Sequence, residues 1–187
     1  MSRDVWLASG SPRRKTLLEW AGYTPHVHPA HLDESRVAHE DPIIYARRLA
    51  LEKVETAPSH VVALAADTVV HRGDRIFDKP PHRKEAKDTL TELSDGVHQV
   101  TTAVAVRHGS QIELFDCTTE VTFRSLNEAE IDAYLQTGEA DDKAGAYGIQ
   151  GRAAVFVSRV VGSWTNVVGL PIELCIPALD RHLAAIR

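Results

Sequence analysis

A short loop near the N-terminus combines residue types that bind phosphate. Residues 9–14 read Ser-Gly-Ser-Pro-Arg-Arg and lie between an apolar run and a helical pattern. The N–H groups and dipole of a helix start attract an anion, and the hydroxyls of Ser9 and Ser11 can donate as well. Arg13 and Arg14 add guanidinium groups that match phosphate oxygens. The loop lacks the Walker pattern, so a capped helix start with solvated arginines remains an alternative.

A single carboxylate interrupts the most apolar stretch of the chain. Asp67 lies between the runs 61–66 and 69–70, which together are typical of a buried strand. A buried carboxylate without a partner is costly, so Asp67 is expected to meet a cation, a metal ion or a proton-transfer task. The alternative is an aspartate that caps a turn at the end of the strand.

A lysine gives a similar signal on a helix. Apolar residues between positions 43 and 50 mark the inner face of a helix that begins at Asp41-Pro42, and Lys53 follows Ala46 and Ala50 on that face. Such a lysine either snorkels at the end of its helix or reaches into a cleft.

Three further polar side chains are weaker candidates. Lys79 precedes two prolines that hold its backbone extended, Glu34 could bind a metal ion, and Gln150 could donate to and accept from a base edge. Taken alone, Lys79 is interpreted as a surface lysine and Glu34 is better explained as a solvated turn acid, whereas the alternative for Gln150 is a loop amide bonded to its own backbone. His98 opens a strand and is expected to be a core or hairpin histidine rather than a catalyst.

The composition is typical of one globular domain, and the net charge provides no overall positive potential that would attract polyanions. The chain has 187 residues, of which 43% are hydrophobic and 25% charged. Its net charge of -5 predicts no binding to nucleic acid or anionic lipid, so a polyanionic substrate needs local cations, a metal ion or both. No apolar run approaches the roughly 20 residues of a membrane span, and the N-terminus does not resemble a signal peptide. We therefore expect a cytoplasmic protein.

The candidate residues belong to a mixed order of strands and helices. Strands are predicted over residues 4–8, 60–70, 76–77, 97–106 and 112–123, the last two joined as a hairpin. Helices are predicted over residues 15–21, 42–56, 83–93, 127–138 and from 167–171 to the C-terminus. Residues 25–35 are expected to be irregular or an edge strand. This order predicts a single α/β domain over residues 1–187, with a mixed twisted sheet flanked by helices.

Several segments also follow the order of one enzyme family. They are Leu7-Ala-Ser-Gly-Ser-Pro-Arg-Arg14, Asp33-Glu34, Lys53, Ala66-Asp-Thr-Val-Val70, Lys79-Pro80, His98-Gln-Val-Thr-Thr102, Asp142-Lys-Ala-Gly-Ala-Tyr-Gly-Ile-Gln-Gly151 and Asn166-Val-Val-Gly-Leu-Pro171. Together they resemble the Maf family, the septum-formation-inhibitor-like nucleoside triphosphate pyrophosphatases. The resemblance runs through nearly the whole chain and implies a fold like that of the inosine triphosphate pyrophosphatases, with a cleft between two lobes.

The same resemblance implies an activity and a set of roles. Family members hydrolyse a nucleoside triphosphate to the monophosphate and pyrophosphate with a divalent metal ion, Mg²⁺ or Mn²⁺, and the resemblance suggests a homodimer. The position that matches Asp67 is the family's proton acceptor. Those that match Arg13, Glu34, Lys53 and Lys79 line the same cleft.

Three positions carry the choice of substrate in the family. Arg13, Thr68 and Gln150 match the combination found in the dTTP/UTP group. The 7-methyl-GTP group instead has Trp, Gln and Glu at these three positions. We expect Thr68 and Gln150 to bind the pyrimidine edge. Ala66 and Ala103 depart from the family pattern, since glycine is common at both, and the methyl group of Ala66 is expected to crowd the approach to the metal.

These residues support a hypothesis of metal-assisted hydrolysis. Asp67 would orient or deprotonate a water molecule that attacks the α-phosphorus, and Asp67 and Glu34 would hold the metal ion. Ser9 and Ser11 would donate to phosphate oxygens. Charge that grows on the leaving pyrophosphate would be neutralised by four cations, Arg13, Arg14, Lys53 and Lys79.

A non-catalytic nucleotide-binding regulator of cell division is the alternative from another class. The pairing of Asp67 with Glu34 counts against it, because binding of a polyanion gains nothing from two acids without a metal ion. Within the enzyme hypothesis, the role could be removal of modified pyrimidine nucleotides or turnover of ordinary dTTP and UTP.

Overall fold

The computed structural model describes residues 3–185. The strands in this part of the chain are β1 (Asp4–Leu7), β2 (Thr24–Val27), β3 (Ala63–Arg72), β4 (Arg75–Phe77), β5 (Val97–His108), β6 (Gln111–Phe123) and β7 (Val157–Val161). The α-helices are α1 (Pro12–Trp20), α2 (Pro42–Glu55), α3 (Arg83–Leu93), α4 (Glu128–Leu135), α5 (Trp164–Val168) and α6 (Ile172–Ala184). Two 3₁₀ segments, Ala144–Ala146 and Arg152–Phe156, lie between α4 and β7. Within residues 3–185, no helix has the length and apolarity needed to cross a membrane.

The seven strands form one mixed sheet. Its order is β2-β1-β3-β5-β6-β7, and β4 pairs with β3 beside this path. β1 is parallel to both of its neighbours, whereas β3, β5, β6 and β7 pair in antiparallel fashion. β2 is an edge strand that overlaps the start of the segment 25–35, which was expected to be irregular or an edge strand, and the rest of that segment is irregular. β5 and β6 form the predicted hairpin. The predicted α/β class with a mixed, helix-flanked sheet is therefore confirmed.

Strand β3 has an open edge in the middle of this sheet. β5 covers one side of it along nearly its whole length. On the other side β1 pairs only with Ala63 and Leu64, and β4 begins to pair only at Val70. The stretch 65–69 therefore faces a gap between β1 and β4. Because a ligand can approach a strand edge that no other strand covers, this gap positions the functional site.

Successive residues of β3 point to opposite faces of the sheet, and each face has its own hydrophobic core. Ala65 and Val69 pack with α2 in one cluster. Ala66 and Val70 pack in the other, with apolar residues of α1, α3, α4 and α6. We call the α2 side, to which Asp67 belongs by alternation, the acid face, and the opposite side the arginine face.

Local capping signals set several helix ends. The Asp41 carboxylate accepts hydrogen bonds from the first turn of α2, behind Pro42. Asn127 and Glu130 form both halves of the predicted capping box at α4. α3 covers the predicted residues 83–93. These ends were predictable because each depends on contacts within four residues.

Three helix boundaries differ from expectation. α1 begins at Pro12 rather than at residue 15, because Ser11 caps it and a proline in the first turn needs no N–H partner. α4 ends at Leu135, ahead of the glycine at position 138. The short helix α5 was not predicted, and Gly169, at a φ of 128°, separates it from α6.

Candidate active site

The gap in the sheet opens into a cleft of about 810 Å³. The N-terminal loop, the open edge of β3, residues 76–79, residues 142–151 and residues 167–169 contribute to its walls. All ten predicted site residues line it: Ser9, Ser11, Arg13, Arg14, Glu34, Lys53, Asp67, Thr68, Lys79 and Gln150. The fold thus brings together residues that the sequence disperses over most of its length.

A buried lysine joins the two predicted acids on the acid face. Lys53 Nζ lies 2.7 Å from Asp67 Oδ1 and 2.7 Å from Glu34 Oε1. Lys53 and Asp67 are 7% and 9% exposed, whereas the Glu34 side chain is 45% exposed. Lys53 therefore reaches into the cleft instead of snorkelling, and Asp67 pairs with a cation from within β3 instead of capping a turn.

The charges around Glu34 favour its ionised form. Partial burial of Glu34 raises the pKa of its carboxyl group, but the bond to Lys53 and the charges of Lys53, Lys79 and Arg14 outweigh it and lower this pKa overall. The carboxylate is therefore available as a metal ligand throughout the neutral pH range.

Helix α2 also holds the loop that carries Glu34. The Tyr45 hydroxyl donates to the Glu34 backbone carbonyl at 2.8 Å. Arg48 donates to both carboxylate oxygens of Glu40 at 2.8 Å and to the Ser35 carbonyl at 3.2 Å. One face of α2 thus supplies Lys53 to the site and restrains the position of Glu34.

On the arginine face, Arg14 is held in three directions. Its Nε donates to the Gly169 carbonyl at 2.9 Å, its Nη1 to Ser9 Oγ at 3.0 Å and its Nη2 to Thr68 Oγ1 at 3.0 Å. Burial lowers the pKa of Arg14, and the charges of Asp67 and Glu34 oppose this effect. Since a guanidinium group has five N–H donors, two of those on Arg14 remain for an anion in the cleft.

The serines of the N-terminal loop accept hydrogen bonds within the loop itself. Ser9 Oγ accepts from the backbone N–H of Ser11 at 3.3 Å, in addition to the bond from Arg14. Ser11 Oγ accepts from the backbone N–H of Arg14 at 3.5 Å and caps α1. Both hydroxyl protons therefore remain available to a phosphate oxygen, which agrees with the predicted role.

The remaining predicted residues lie at the outer walls of the cleft. Arg13 Nη1 is 3.9 Å from Asp142 Oδ2, so the pair links α1 to the segment after α4. Asp142 Oδ1 in turn binds Lys143 Nζ at 2.6 Å. Lys79 and Gln150 are exposed and make no side-chain hydrogen bond within the described residues. Their side chains are free to meet a ligand.

The Thr68 hydroxyl already has two partners within the protein. It contacts Arg14, as described above, and lies 2.9 Å from Thr102 Oγ1 on β5. The interaction between Thr68 and a base edge stays a prediction, and the structure gives this hydroxyl a place in the scaffold of Arg14.

The expectation that Ala66 crowds the metal site is wrong. Ala66 is fully buried in the core of the arginine face, whereas its neighbour Asp67 points to the acid face. Alternation along the strand therefore separates this methyl group from the carboxylate. Ala103 pairs directly with Asp67 from β5 and is also fully buried.

Glu34 and Asp67 are chemically suited to share a divalent cation. Each uses one carboxylate oxygen for Lys53 and keeps a second oxygen without a hydrogen-bond partner in the described residues. Within residues 3–185, no three His, Cys, Asp or Glu side chains cluster as a metal site. Mg²⁺ in phosphate-processing sites commonly binds one or two carboxylates, substrate phosphates and water. The residues present thus fit a metal ion that enters with a triphosphate.

Three residues that line or support the site were missed by the sequence patterns. Tyr45 precedes Lys53 by two helical turns on the buried face of α2, so a hydroxyl on that stripe was the available signal. Thr102 and Asn166, both fully buried, occur in family segments but carry no local sign of a role. Their contacts join β5 to α5 across the fold.

The fold and the cleft define an α/β protein with a cleft that is lined by arginine and lysine side chains beside a buried acid–lysine cluster. A family model described as "Maf-like protein" matches residues 4–182, and the chain belongs to this family. A relative from Halalkalibacterium halodurans, named dTTP/UTP pyrophosphatase, is 46% identical over 183 residues and covers 96% of each chain. A relative of the same name from Chromobacterium violaceum is 45% identical over 178 residues, 90% of this chain and 89% of its own.

One solved structure is also similar. The Ham1 protein of Staphylococcus aureus overlays on 64% of this chain and 71% of its own, with a TM-score of 0.44 and 13% sequence identity.

Proposed function

We propose that this chain hydrolyses nucleoside triphosphates, preferring dTTP and UTP, to the monophosphate and pyrophosphate. The observation that carries the proposal is the buried Lys53, which joins Asp67 and Glu34 at the rim of a cleft lined by Arg13 and Arg14. The relatives named dTTP/UTP pyrophosphatase, which match along most of the chain, support the same activity.

In the proposed reaction, a water molecule attacks the α-phosphorus in line with the leaving pyrophosphate. A bond forms between the water oxygen and the α-phosphorus, and the bond from that phosphorus to the bridging oxygen breaks. Asp67 accepts the water proton on the carboxylate oxygen that Lys53 does not bind. Lys53 keeps the opposite oxygen in place and so orients the base.

The triphosphate is bound by groups from both sides of the cleft. The two remaining N–H groups of Arg14 and the hydroxyls of Ser9 and Ser11 approach it from the N-terminal loop. Arg13 and Lys79 add positive charge at the opening. These groups neutralise the charge that grows on the pyrophosphate as the bond breaks.

A divalent cation, Mg²⁺ or Mn²⁺, completes the proposed site. Glu34 would hold it through its second carboxylate oxygen, and Asp67 through the lone pair of its second oxygen that does not take the water proton; the cation would supply charge neutralisation of the phosphates. Lys53 keeps the two carboxylates close together before the cation arrives, and each can then turn its second oxygen toward the cation.

We expect residues at the outer wall of the cleft to select the nucleotide base of the substrate. Gln150 is exposed there and has both a donor and an acceptor, which suits the polar edge of a pyrimidine. The cellular role that follows is removal of modified pyrimidine nucleotides or turnover of dTTP and UTP in the cytoplasmic pool. We also expect a homodimer, as the family resemblance suggests, and light scattering at micromolar concentration tests this.

Pyrophosphate release from a panel of nucleoside triphosphates with Mn²⁺ tests the activity. The expected result is turnover of dTTP and UTP well above that of the purine nucleotides. Tight nucleotide binding without turnover of any of them would instead support the regulatory alternative. A preference for 7-methyl-GTP would keep the reaction and overturn the assignment to pyrimidines.

A further inference from the structure

We propose that Thr102, which does not line the cleft, is a positioning residue that orients Arg14 through the hydroxyl of Thr68. The proposal rests on the proposed function, because it assigns the free donors of Arg14 to the triphosphate. It also gives Thr68 a structural reason to influence substrate binding without touching the base.

The direction of the hydrogen bonds between these residues is determined by their chemistry. Thr102 Oγ1 donates to the Asn166 carbonyl at 3.0 Å, since a carbonyl can only accept. A hydroxyl has one proton, so in its 2.9 Å contact with Thr68 the Thr102 oxygen must accept and Thr68 must donate. The Thr68 oxygen then presents a lone pair to Arg14 Nη2 at 3.0 Å. The relay runs in one direction, from Arg14 through both threonines to Asn166.

The far end of this relay is rigid. Asn166 is fully buried, and its side-chain amide donates to the Val100 carbonyl at 2.8 Å and to Thr119 Oγ1 at 2.9 Å. Its amide oxygen accepts from the backbone N–H of Thr102 at 3.1 Å. Both N–H groups and the oxygen of the amide are therefore hydrogen-bonded, and Asn166 has one stable orientation.

Helix α5 holds Arg14 from a second direction. Asn166 lies in this helix, and the carbonyl of Gly169, the residue whose N–H caps the end of the helix, accepts from Arg14 Nε at 2.9 Å. The same short helix thus controls both the Nε side and, through two threonines, the Nη2 side of the guanidinium group. The two remaining N–H groups of Arg14 consequently point in set directions before the substrate binds.

The test is Thr102→Val, which keeps the shape of the side chain and removes its hydroxyl. We expect the Kd for a non-hydrolysable α,β-imido analogue of dUTP to rise about tenfold, as for one lost buried hydrogen bond. Thr102→Ser restores the hydroxyl and should return the Kd to near its original value. Calorimetry measures this binding directly, so it does not depend on turnover.

A neighbouring residue supplies the matched control. Thr101 is also fully buried on β5 but points to the acid face, where it bonds His71 Nε2 at 2.9 Å and Thr118 Oγ1 at 2.8 Å. Thr101→Val should lower the melting temperature about as much as Thr102→Val and leave the Kd unchanged. Equal changes in Kd for the two variants would overturn the proposal, because a general loss of stability would then explain both.

A double-mutant cycle separates positioning from packing. In an Arg14→Lys background, Thr102→Val should no longer change the Kd, because lysine has no Nη2 donor for Thr68 to orient. A full tenfold effect in that background would also overturn the proposal. If the analogue binds as expected but dTTP and UTP are not hydrolysed, the proposed function fails while the positioning role stands.

Discussion

The two faces of β3 support the same cleft in different ways. On the acid face, Asp67 and Glu34 share one lysine, and the Glu34 side chain remains 45% exposed on a loop. On the arginine face, Arg14 is held by three hydrogen bonds to Ser9, Thr68 and Gly169. The first arrangement depends on charge and the second on the direction of hydrogen bonds.

This difference indicates that the acid face can rearrange when a ligand binds, whereas the arginine face stays fixed. Carboxylates around a lysine can turn toward an incoming cation, because an ion pair tolerates a range of angles. A guanidinium group that grips a phosphate gains most when its direction is set before binding. The acid face is therefore suited to metal binding and proton transfer, and the arginine face to placing the triphosphate.

The largest expected effect distinguishes the chemistry of the acid face from binding. Asp67→Asn keeps the size of the side chain but removes its ability to accept a proton. We expect kcat for dTTP to fall about a thousandfold, within the range for loss of a general base, while nucleotide binding is kept. Steady-state kinetics and calorimetry measure the two quantities. Asp78→Asn, at an exposed acid of the same cleft, is the control, and similar losses in both variants would remove Asp67 as the base.

The ion pair between Lys53 and Asp67 should dominate the stability of the acid face. Lys53→Met leaves two carboxylates without their shared cation, and we expect the free energy of unfolding to fall by about 3 kcal/mol in urea titrations. Mn²⁺ should raise the melting temperature of this variant more than that of the original protein. Lys15→Met removes an exposed pair with Glu19 and should change stability by less than about 0.5 kcal/mol. A Lys53→Met variant as stable as the Lys15→Met control would contradict the expectation that breaking the buried ion pair is costly.

Each face carries a buried histidine whose charge opposes folding. Burial lowers the pKa of His98, on the arginine face, to about 3, and also lowers the pKa of His71 on the acid face. Because a lowered pKa means that the unfolded chain binds more protons, stability is complete above the unfolded value near 6.5 and falls as the pH drops toward 3. We expect a loss of up to about 1.4 kcal/mol per pH unit from His98 alone.

Urea titrations between pH 4 and 7 measure this slope. His98→Asn should flatten it, whereas His60→Asn, at an exposed position, should leave it unchanged. An unchanged slope in the first variant would assign the acid sensitivity to other groups.

The smallest expected effect concerns the loop of the acid face. Tyr45→Phe removes the hydroxyl that holds the Glu34 carbonyl, so the Mn²⁺ concentration for half-maximal activity should rise about threefold to tenfold, as for one hydrogen bond. kcat at saturating Mn²⁺ should not change. Tyr23→Phe, which loses a 2.8 Å bond to Asp180 away from the cleft, is the matched control. A change in kcat with an unaltered Mn²⁺ requirement would place Tyr45 in the chemistry instead.

Much of the fold could be predicted from the sequence because it depends on residues that are close together along the chain. The caps at Asp41 and Asn127, the helix over residues 83–93 and the β5–β6 hairpin all follow from contacts within a few positions. The boundaries that failed involve Ser11, which caps α1, and Gly169, whose positive φ ends α5. A serine or a glycine is compatible with several local structures, so the pattern alone did not decide between them.

By itself, the sequence determined that two charged residues, Asp67 and Lys53, occupy positions whose pattern predicts burial. It also determined that the N-terminal loop could bind an anion. Only the tertiary structure decided that one lysine serves both acids, that Ala66 and Asp67 face opposite cores, and that Arg14 is oriented by residues 54 and 155 positions away. The physical reason is the distance along the chain over which the deciding interactions act. Propensity and periodicity record interactions within a helical turn or along one strand, whereas the direction of a side chain in a cleft depends on whichever distant segments the packed sheet brings beside it.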